Sequence, residues 1–192
     1  EHIPELIDSG IDSFKIEGRM KTALYVATVA RTYRKAIDDY LESPELYRKN
    51  MDWYLDQISN CTYRQFTTGF FFGKPDESAQ IYDNNTYVKE YTYLGIIGEC
   101  TADGLYRIEQ RNKFSVGEQI EIMKPDGRNI PVVVRRIVDE EGQEMQSAPH
   151  PKQVLYIELA AAENGALSGA EVSEQDNHAA ELYDILRRKE EE

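Results

Sequence analysis

The stretch EQIEIMKPDGRNIPVVVRRIV, residues 118–138, contains two runs rich in Ile and Val, one on each side of Asp126-Gly127. The runs cover residues 118–124 and 130–138. An Asp-Gly pair between two such runs is typical of the tight turn of a β-hairpin. The sequence therefore predicts two antiparallel strands here.

Similar runs lie on both sides of this hairpin. Three more short segments rich in Val, Ile and Tyr cover residues 91–99, 104–110 and 153–158. Glycines stand at or near their boundaries, at Gly104, Gly117 and Gly142. Because no helical pattern separates these runs, they predict a small antiparallel β-barrel.

The first 20 residues follow a different pattern. Residues 4–9 indicate the end of a helix, with Gly10 as its C-cap. Residues 11–17 then predict a strand, because Phe14 and Ile16 alternate with charged residues.

Two helices are predicted after this strand. From Thr22 to Leu41 apolar residues recur at i, i+3, i+4 and i+7 spacing. Ser43 and Pro44 supply an N-cap and a first-turn proline for the second helix. One strand and two helices form the last unit of a β/α domain, so the predicted fold class is α+β.

The change of pattern sets the expected domain organisation. We expect an incomplete β/α domain, a linker, the small barrel and a polar tail, over residues 1–75, 76–90, 91–175 and 176–192. The tail predicts a terminal helix through Leu182, Ile185 and Leu186. Because the chain begins with Glu1 rather than Met, we expect a piece of a longer protein, and the partner strands of the β/α domain are missing from it.

Composition excludes several classes of protein. The 192 residues are 41% hydrophobic and 10% aromatic, which is too apolar for a disordered chain, and no run is long enough to span a membrane. The net charge of −13 argues against a general nucleic-acid coat. Cys61 and Cys100 are far apart and lack metal-ligand spacing, so we expect a cytoplasmic protein with no metal site in this chain.

The segment KIEGRMK, residues 15–21, is the sharpest candidate for a binding site. In a closed parallel barrel Lys15 and Glu17 face the lumen, and Arg19 and Lys21 lie just past the strand, where β/α barrels build active sites. Such cations suit a carboxylate or phosphate of a substrate. The alternative is an ordinary Lys–Glu ion pair on an exposed strand.

Two further segments are weaker candidates. Arg111, Asn112 and Lys113 precede the turn at Gly117 and predict either turn chemistry or a contact with an RNA backbone. The segment TTGFFFG, residues 67–73, predicts aromatic side chains buried at a seam between domains, with base stacking as the alternative. Neither segment supplies a nucleophile with a base, and the chain has no phosphate-binding loop, GxSxG or HExxH motif, so no complete catalytic site is expected in it.

These motifs resemble the collagenase-like peptidase U32 family. The resemblance rests on KIEGRMK with YVATVARTYRKAID, and on TTGFFFG, the Arg111–Phe114 turn and Pro149-His150-Pro151. It implies the end of a β/α catalytic barrel followed by a small barrel of the translation-factor type. It also implies that Lys15, Glu17, Arg19 and Lys21 edge the active site of the whole protein. It further implies that Arg111, Asn112 and Lys113 contact RNA or the N-terminal catalytic barrel, which this chain lacks.

The family resemblance is compatible with two activities of the whole protein, peptide hydrolysis and tRNA hydroxylation. Some relatives carry a peptidase, and hence hydrolase, label, and others act in prephenate-dependent hydroxylation of the tRNA wobble uridine. The latter are associated with an iron–sulfur cluster held by barrel cysteines, and those cysteines are absent here. We expect an accessory region that lids or orients substrate for a tRNA-modifying enzyme; the alternatives are a peptidase region and a purely structural domain that oligomerises through the exposed strand 11–17.

Overall fold

The computed structural model describes residues 1–61, 67–77, 91–162 and 180–190. Helices α1 to α4 and strands β1 to β9 follow one another along the chain. The helices are α1 Ile3–Asp8, α2 Ala23–Glu42, α3 Pro44–Lys49 and α4 Met51–Ser59. The strands are β1 Tyr91–Cys100, β2 Tyr106–Gln110, β3 Phe114–Ser115, β4 Gln119–Met123, β5 Asn129–Asp139, β6 Glu144–Met145, β7 Ser147–Ala148, β8 Val154–Ala161 and β9 Ile185–Lys189.

Six of the described strands close into an antiparallel barrel. Their order is β4-β9-β1-β2-β8-β5, and pairing of β4 with β5 closes the ring. All five strands predicted from residues 91–158 are present, and the α+β class and the small barrel are confirmed. The barrel core is apolar, with Leu94, Ile108, Leu155 and Leu186 fully buried.

One glycine in β1 lets two strands approach closely. The register of β1 against β9 shifts between Tyr93 and Gly95. A Cβ atom at Gly95 would lie 2.8 Å from the carbonyl oxygen of Glu109 on β2. Because real Cβ atoms do not approach a carbonyl that closely, glycine is required at this bulge.

The N-terminal helices begin and end where the capping residues predict. Thr22 accepts a hydrogen bond from the backbone N–H of Tyr25 and caps α2, and Ser43 caps α3 through the N–H of Leu46. Gly10 follows α1 with a φ of 73°. The single second helix was predicted wrongly, because the chain divides at Asn50 into α3 and α4.

Helix α2 joins the helices to the barrel. Leu24, Thr28 and Arg31, at i, i+4 and i+7, face the barrel and are buried. Leu24 packs in one apolar cluster with Met123 of β4 and Ile185 of β9. The helical unit and the barrel therefore share a packed seam.

The strand predicted over residues 11–17 is absent. This segment is mostly exposed and pairs with none of the described strands. A strand requires a neighbour for its backbone N–H and C=O groups, and a closed ring leaves few edges for a seventh strand. The alternation of Phe14 and Ile16 therefore does not produce a strand in this chain.

The predicted C-terminal helix is also wrong within the described residues. Residues 185–189 form β9, which lies between β1 and β4 and completes the barrel. Pairing on both sides satisfies the backbone groups of three strands, a gain that an exposed helix does not offer. The linker prediction for residues 76–90 falls mostly outside the described residues.

Candidate functional site

A cavity of about 240 Å³ lies on the seam between the helical unit and the barrel. The start of α2 and the end of α4 form one side, through Tyr25 and Cys61 among others. Strands β1 and β9 and the turn after β2 form the other side, through Tyr93, Arg187 and Asn112. Both the helical unit and the barrel line the cavity, and neither unit forms it without the other.

Arg187 of β9 is a buried cation in the cavity wall. Its side chain is 1% exposed, and its Nε donates to Glu121 Oε2 at 2.9 Å. Its guanidinium lies 3.8 Å from the ring centroid of Tyr91. A buried charge is tolerated when it is paired and hydrogen-bonded, and Glu121 supplies that pairing from the opposite strand position.

Tyr93 lines the cavity, and its hydroxyl group is fully buried. The residue is 7% exposed, and burial raises the pKa of its phenol. Among the described residues no group makes a hydrogen bond of acceptable geometry to this hydroxyl, although the Arg111 guanidinium lies beside it. The Nε of Arg111 is likewise buried and unsatisfied. Such groups cost free energy unless a ligand or water completes them.

Asn112 is held against the cavity by the backbone. Its side-chain Nδ2 donates to the carbonyl oxygen of Tyr93 at 2.6 Å. Its own carbonyl accepts from Gln110 Nε2 at 3.2 Å. This contact fixes the turn after β2 and leaves an exposed amide oxygen as an acceptor.

Cys61 lines the cavity as an unreactive thiol. Burial raises the pKa of this thiol to about 11, although Arg187, Arg31 and Lys21 oppose the shift. Its Sγ donates a weak hydrogen bond to the carbonyl of Gln57 at 3.8 Å. The thiolate is the nucleophilic form, so Cys61 offers no nucleophile at neutral pH.

Arg31 connects the two sides of the seam beside this cavity. It is 6% exposed, donates to the carbonyl of Lys124 at 3.0 Å and to Asn129 Oδ1 at 2.9 Å, and also donates to Gln57. Burial lowers the pKa of Arg31 to about 9, so the group is still charged at pH 7. One α2 side chain thus binds the β4–β5 turn and α4 together.

The first predicted cluster is divided by the structure. Lys15, Glu17 and Arg19 are exposed, and Arg19 donates from its backbone N–H and its Nε to Glu17 at 3.0 and 3.1 Å. The backbone N–H of Arg19 is the main reason that the pKa of Glu17 lies below its usual value. Lys21 is half-buried, with its Nζ 5.3 Å from the ring centroid of Tyr25, which lines the cavity.

The second predicted cluster lies at the other side of the same cavity. Arg111 forms an ion pair with Glu109, and Asn112 is a lining residue. Lys113 is exposed, and its carbonyl accepts from Arg188 at 3.4 Å. The seam therefore brings Lys21 and the turn at Arg111–Lys113 to one site, although 90 positions of sequence separate them.

Sequence reasoning missed the residues of the cavity wall. Arg187 lies in the segment that was predicted as a helix, and Tyr91 and Tyr93 carry no motif beyond the alternation of a strand. The aromatic residues of TTGFFFG were predicted wrongly as buried, since Phe70, Phe71 and Phe72 are 79%, 56% and 57% exposed. The ring of Phe72 lies 4.5 Å from the ring of the N-terminal His2, between centroids.

The described residues do not fit an iron–sulfur cluster. Such clusters are held by several thiolates, and Cys61 is buried in the seam whereas Cys100 is exposed. Within residues 1–61, 67–77, 91–162 and 180–190, no group of three or more His, Cys, Asp or Glu is placed to hold a metal ion. None of the described helices is long and apolar enough to cross a bilayer.

Curated relatives share both parts of the chain. The tRNA hydroxylation protein P1 of Bacillus subtilis (strain 168) is 37% identical over 160 residues, which cover 83% of this chain and 38% of that protein. The tRNA hydroxylation protein P of Escherichia coli (strain K12) is 33% identical, with coverage of 81% and 34%. A collagenase of Porphyromonas gingivalis is 28% identical, with coverage of 64% and 34%. The chain thus spans about a third of the length of these relatives.

Family comparisons assign the two parts of the chain separately. A solved C-terminal domain from Geobacillus thermoleovorans, described as a U32 peptidase, is 24% identical, covers 52% of this chain and has a TM-score of 0.36. Residues 1–81 match Peptidase family U32, and residues 89–168 match the Peptidase family U32 C-terminal domain. From its first helix to strand β8, the chain therefore belongs to peptidase family U32.

Proposed function

We propose that this chain is the C-terminal, substrate-orienting region of a U32 protein that acts in tRNA hydroxylation. The observation that carries the proposal is the seam cavity, which has cations from both parts of the chain beside it. Lys21 lies on the α2 side, and Arg111 and Lys113 lie on the barrel side. Cations around a cavity lined by tyrosines are suited to RNA, whose phosphates they contact while a base is held between them.

The names of the relatives support RNA as the substrate. Two relatives named for tRNA hydroxylation align over more than four fifths of this chain, so both sides of the seam are included in the match. The reaction proposed for the whole protein is prephenate-dependent hydroxylation of the wobble uridine, in the cytoplasm. The partner of this region is then the catalytic barrel of the same protein, and any iron–sulfur cluster belongs to that barrel.

A peptidase is the second candidate, because one relative is named collagenase. Peptide hydrolysis requires a nucleophile activated by a base, or a metal-bound water. The described residues place no such pair at the seam, since the Cys61 thiol is protonated at neutral pH. We therefore favour the RNA-modifying function.

The cellular experiment is deletion of the gene that encodes this chain, followed by mass spectrometry of digested tRNA. We expect loss of one hydroxylated wobble uridine and its return with the wild-type gene. Complementation with Lys21→Ala plus Lys113→Ala is expected to restore little, whereas Lys49→Ala, an exposed cation of α3, restores it fully. A tRNA profile unchanged by the deletion would contradict the proposal.

The salt dependence of RNA binding is a direct prediction for this chain. Three phosphate contacts through Lys21, Arg111 and Lys113 give a slope of about −2 for log affinity against log salt on single-stranded RNA. Affinity for an anticodon-loop RNA should then fall about 15-fold between 50 and 200 mM salt. Fluorescence anisotropy measures this slope, and a slope near zero would remove the electrostatic basis of the proposal.

A further inference from the structure

We propose that the seam cavity holds one unstacked pyrimidine base of an RNA strand, while the phosphates remain outside on the neighbouring cations. This inference rests on the proposed function and adds the chemical identity of the group that enters the cavity.

The volume limits the occupant to a single ring. At 240 Å³ the cavity is smaller than the roughly 300 Å³ at which pockets for drug-sized ligands begin. A single pyrimidine ring is of a size for such a space, and it is smaller than a folded peptide segment or a dinucleotide.

The wall of the cavity suits a flat polar ring. Tyr25, Tyr91 and Tyr93 supply aromatic surface, on which bases stack. Asn60 and Asn112 each use Nδ2 in a hydrogen bond, to Asp56 and to Tyr93 respectively, which leaves amide oxygens as acceptors for a ring N–H or amino group.

The charges favour a neutral group inside and an anion outside. Arg187 is the charged residue among the described residues of the wall, and Glu121 neutralises it at 2.9 Å. A carboxylate or phosphate inside the cavity would have to compete with Glu121 for that guanidinium. Lys21 and Lys113 stand next to lining residues, beside Tyr25 and after Asn112, where they reach a backbone phosphate.

The cavity binds a base and leaves it chemically unchanged. Its thiol, Cys61, is protonated at neutral pH, and no described group there activates a nucleophile. Holding one base of the strand would fix the register of the RNA for chemistry elsewhere in the protein. Its contribution is therefore to affinity and positioning.

The test compares three probes on the full 192-residue chain at 50 mM salt. The probes are fluorescein-labelled hexauridylate, an abasic hexamer of the same charge, and uridine monophosphate as a competitor. We expect hexauridylate to bind about tenfold more tightly than the abasic hexamer, the magnitude that one stacked base supplies. A hexamer with one 4-thiouridine should cross-link under long-wave ultraviolet light to peptides that contain Tyr93 or Cys61.

Matched variants locate the effect. Tyr25→Leu removes an aromatic ring from the cavity wall, so it should weaken hexauridylate binding about fivefold and leave the abasic hexamer unchanged. Tyr33→Leu is the control, because this tyrosine of the same helix is 39% exposed and is not among the residues that line the cavity. Thermal melts of both variants should match the wild type.

Each of the other possible outcomes contradicts a specific part of the proposal. Equal binding of both hexamers overturns the base-holding cavity and leaves RNA binding intact, whereas no binding of either overturns the proposed function as well. Competition by uridine monophosphate as strong as by the hexamer would assign the cavity to a free nucleotide. Displacement of hexauridylate by the peptide Gly-Phe-Gly would assign it to a peptide side chain.

Discussion

At the residue scale, Gly127 shows how one position joins a turn to a helix. Its φ is 99°, a value that other residues rarely adopt, and it lies in the β4–β5 turn. A Cβ atom there would lie 3.2 Å from the Trp53 ring of α4 and from Lys35 Cδ of α2. The turn therefore requires glycine both for its backbone and for its contact with the helices.

We expect Gly127→Ala to lower the free energy of unfolding by about 2 kcal/mol, because strain and crowding add. The control is Gly142→Ala, since Gly142 has a φ of 82° and nothing within 4 Å of an added Cβ. The control should cost about 1 kcal/mol, from strain alone. Urea denaturation measures both, and equal losses would show that the contact with Trp53 contributes nothing.

The two cysteines are expected to differ strongly in reactivity. Cys100 is exposed, whereas burial raises the pKa of Cys61 to about 11. Because the thiolate reacts, alkylation of Cys61 should be slow at pH 7 and rise about tenfold per pH unit up to pH 10. Iodoacetamide labelling with peptide mass spectrometry measures both rates. Equal rates in the folded protein would contradict the burial of Cys61, and equal rates in 8 M urea are the expected control.

At the element scale, β9 closes the barrel with five residues. It pairs with β1 on one side and β4 on the other, and Leu186 is fully buried in the barrel core. The same strand presents Arg187 to the seam. Fold and candidate site therefore depend on one short segment near the end of the chain.

Leu186→Ala should lower the free energy of unfolding by about 3 kcal/mol, the usual cost of a cavity at a buried leucine. Leu182→Ala is the matched control, because Leu182 is 50% exposed, and it should cost less than about 0.5 kcal/mol. Urea denaturation followed by far-ultraviolet circular dichroism measures both. Similar small losses would mean that β9 contributes little to closure of the barrel.

The strands of the barrel could be predicted because local signals agree. Residues 118–138 combine β-branched runs with an Asp-Gly turn, and the structure has β4 and β5 there. Strand β9 could not be predicted in this way, since Leu182, Ile185 and Leu186 also fit a helical spacing and only pairing with β1 and β4 favours a strand. The opposite error at residues 11–17 has the same cause, because strand pattern without a partner does not form a strand.

The candidate site could be predicted only in part, for a related reason. KIEGRMK and the Arg111–Lys113 turn were identified from residue type; Asn112 lines the cavity, and Lys21 lies against the lining residue Tyr25. That they meet is decided by the packing of α2 on the barrel, which no local pattern encodes. The wall residues Tyr93 and Arg187 look like ordinary strand residues until β1 and β9 are placed side by side.

At the scale of the whole molecule, the seam unites two units that carry the two family matches. Apolar packing of Leu24 with Met123 and Ile185 supplies part of this seam. Arg31 supplies the polar part, through hydrogen bonds to Lys124, Asn129 and Gln57. Because the cavity lies between these units, its shape depends on how firmly they are joined.

The last prediction tests that coupling with Arg31→Met, which keeps the length of the side chain and removes its hydrogen bonds. The variant removes the Arg31 hydrogen bonds to the carbonyl of Lys124, to Asn129 Oδ1 and to Gln57 Oε1, which should weaken the seam by about 3 kcal/mol. The barrel core does not contain Arg31, so its own stability should change little. The control Arg34→Met removes only a surface pair with Asp38 on the same helix and should cost less than about 0.5 kcal/mol.

Two probes report the unfolding of the helical unit and of the barrel separately in one urea titration. Trp53, the single tryptophan of the chain, contacts Gly127 across the seam and reports the helical unit by fluorescence. Hydrogen exchange of the β2 and β8 amides reports the barrel. In the wild type the two transitions should coincide, whereas in Arg31→Met the Trp53 transition should move to lower urea and the barrel amides should remain protected. If both probes move together, Arg31 stabilises one cooperative unit, and the seam is then part of the core rather than a joint between two folding units.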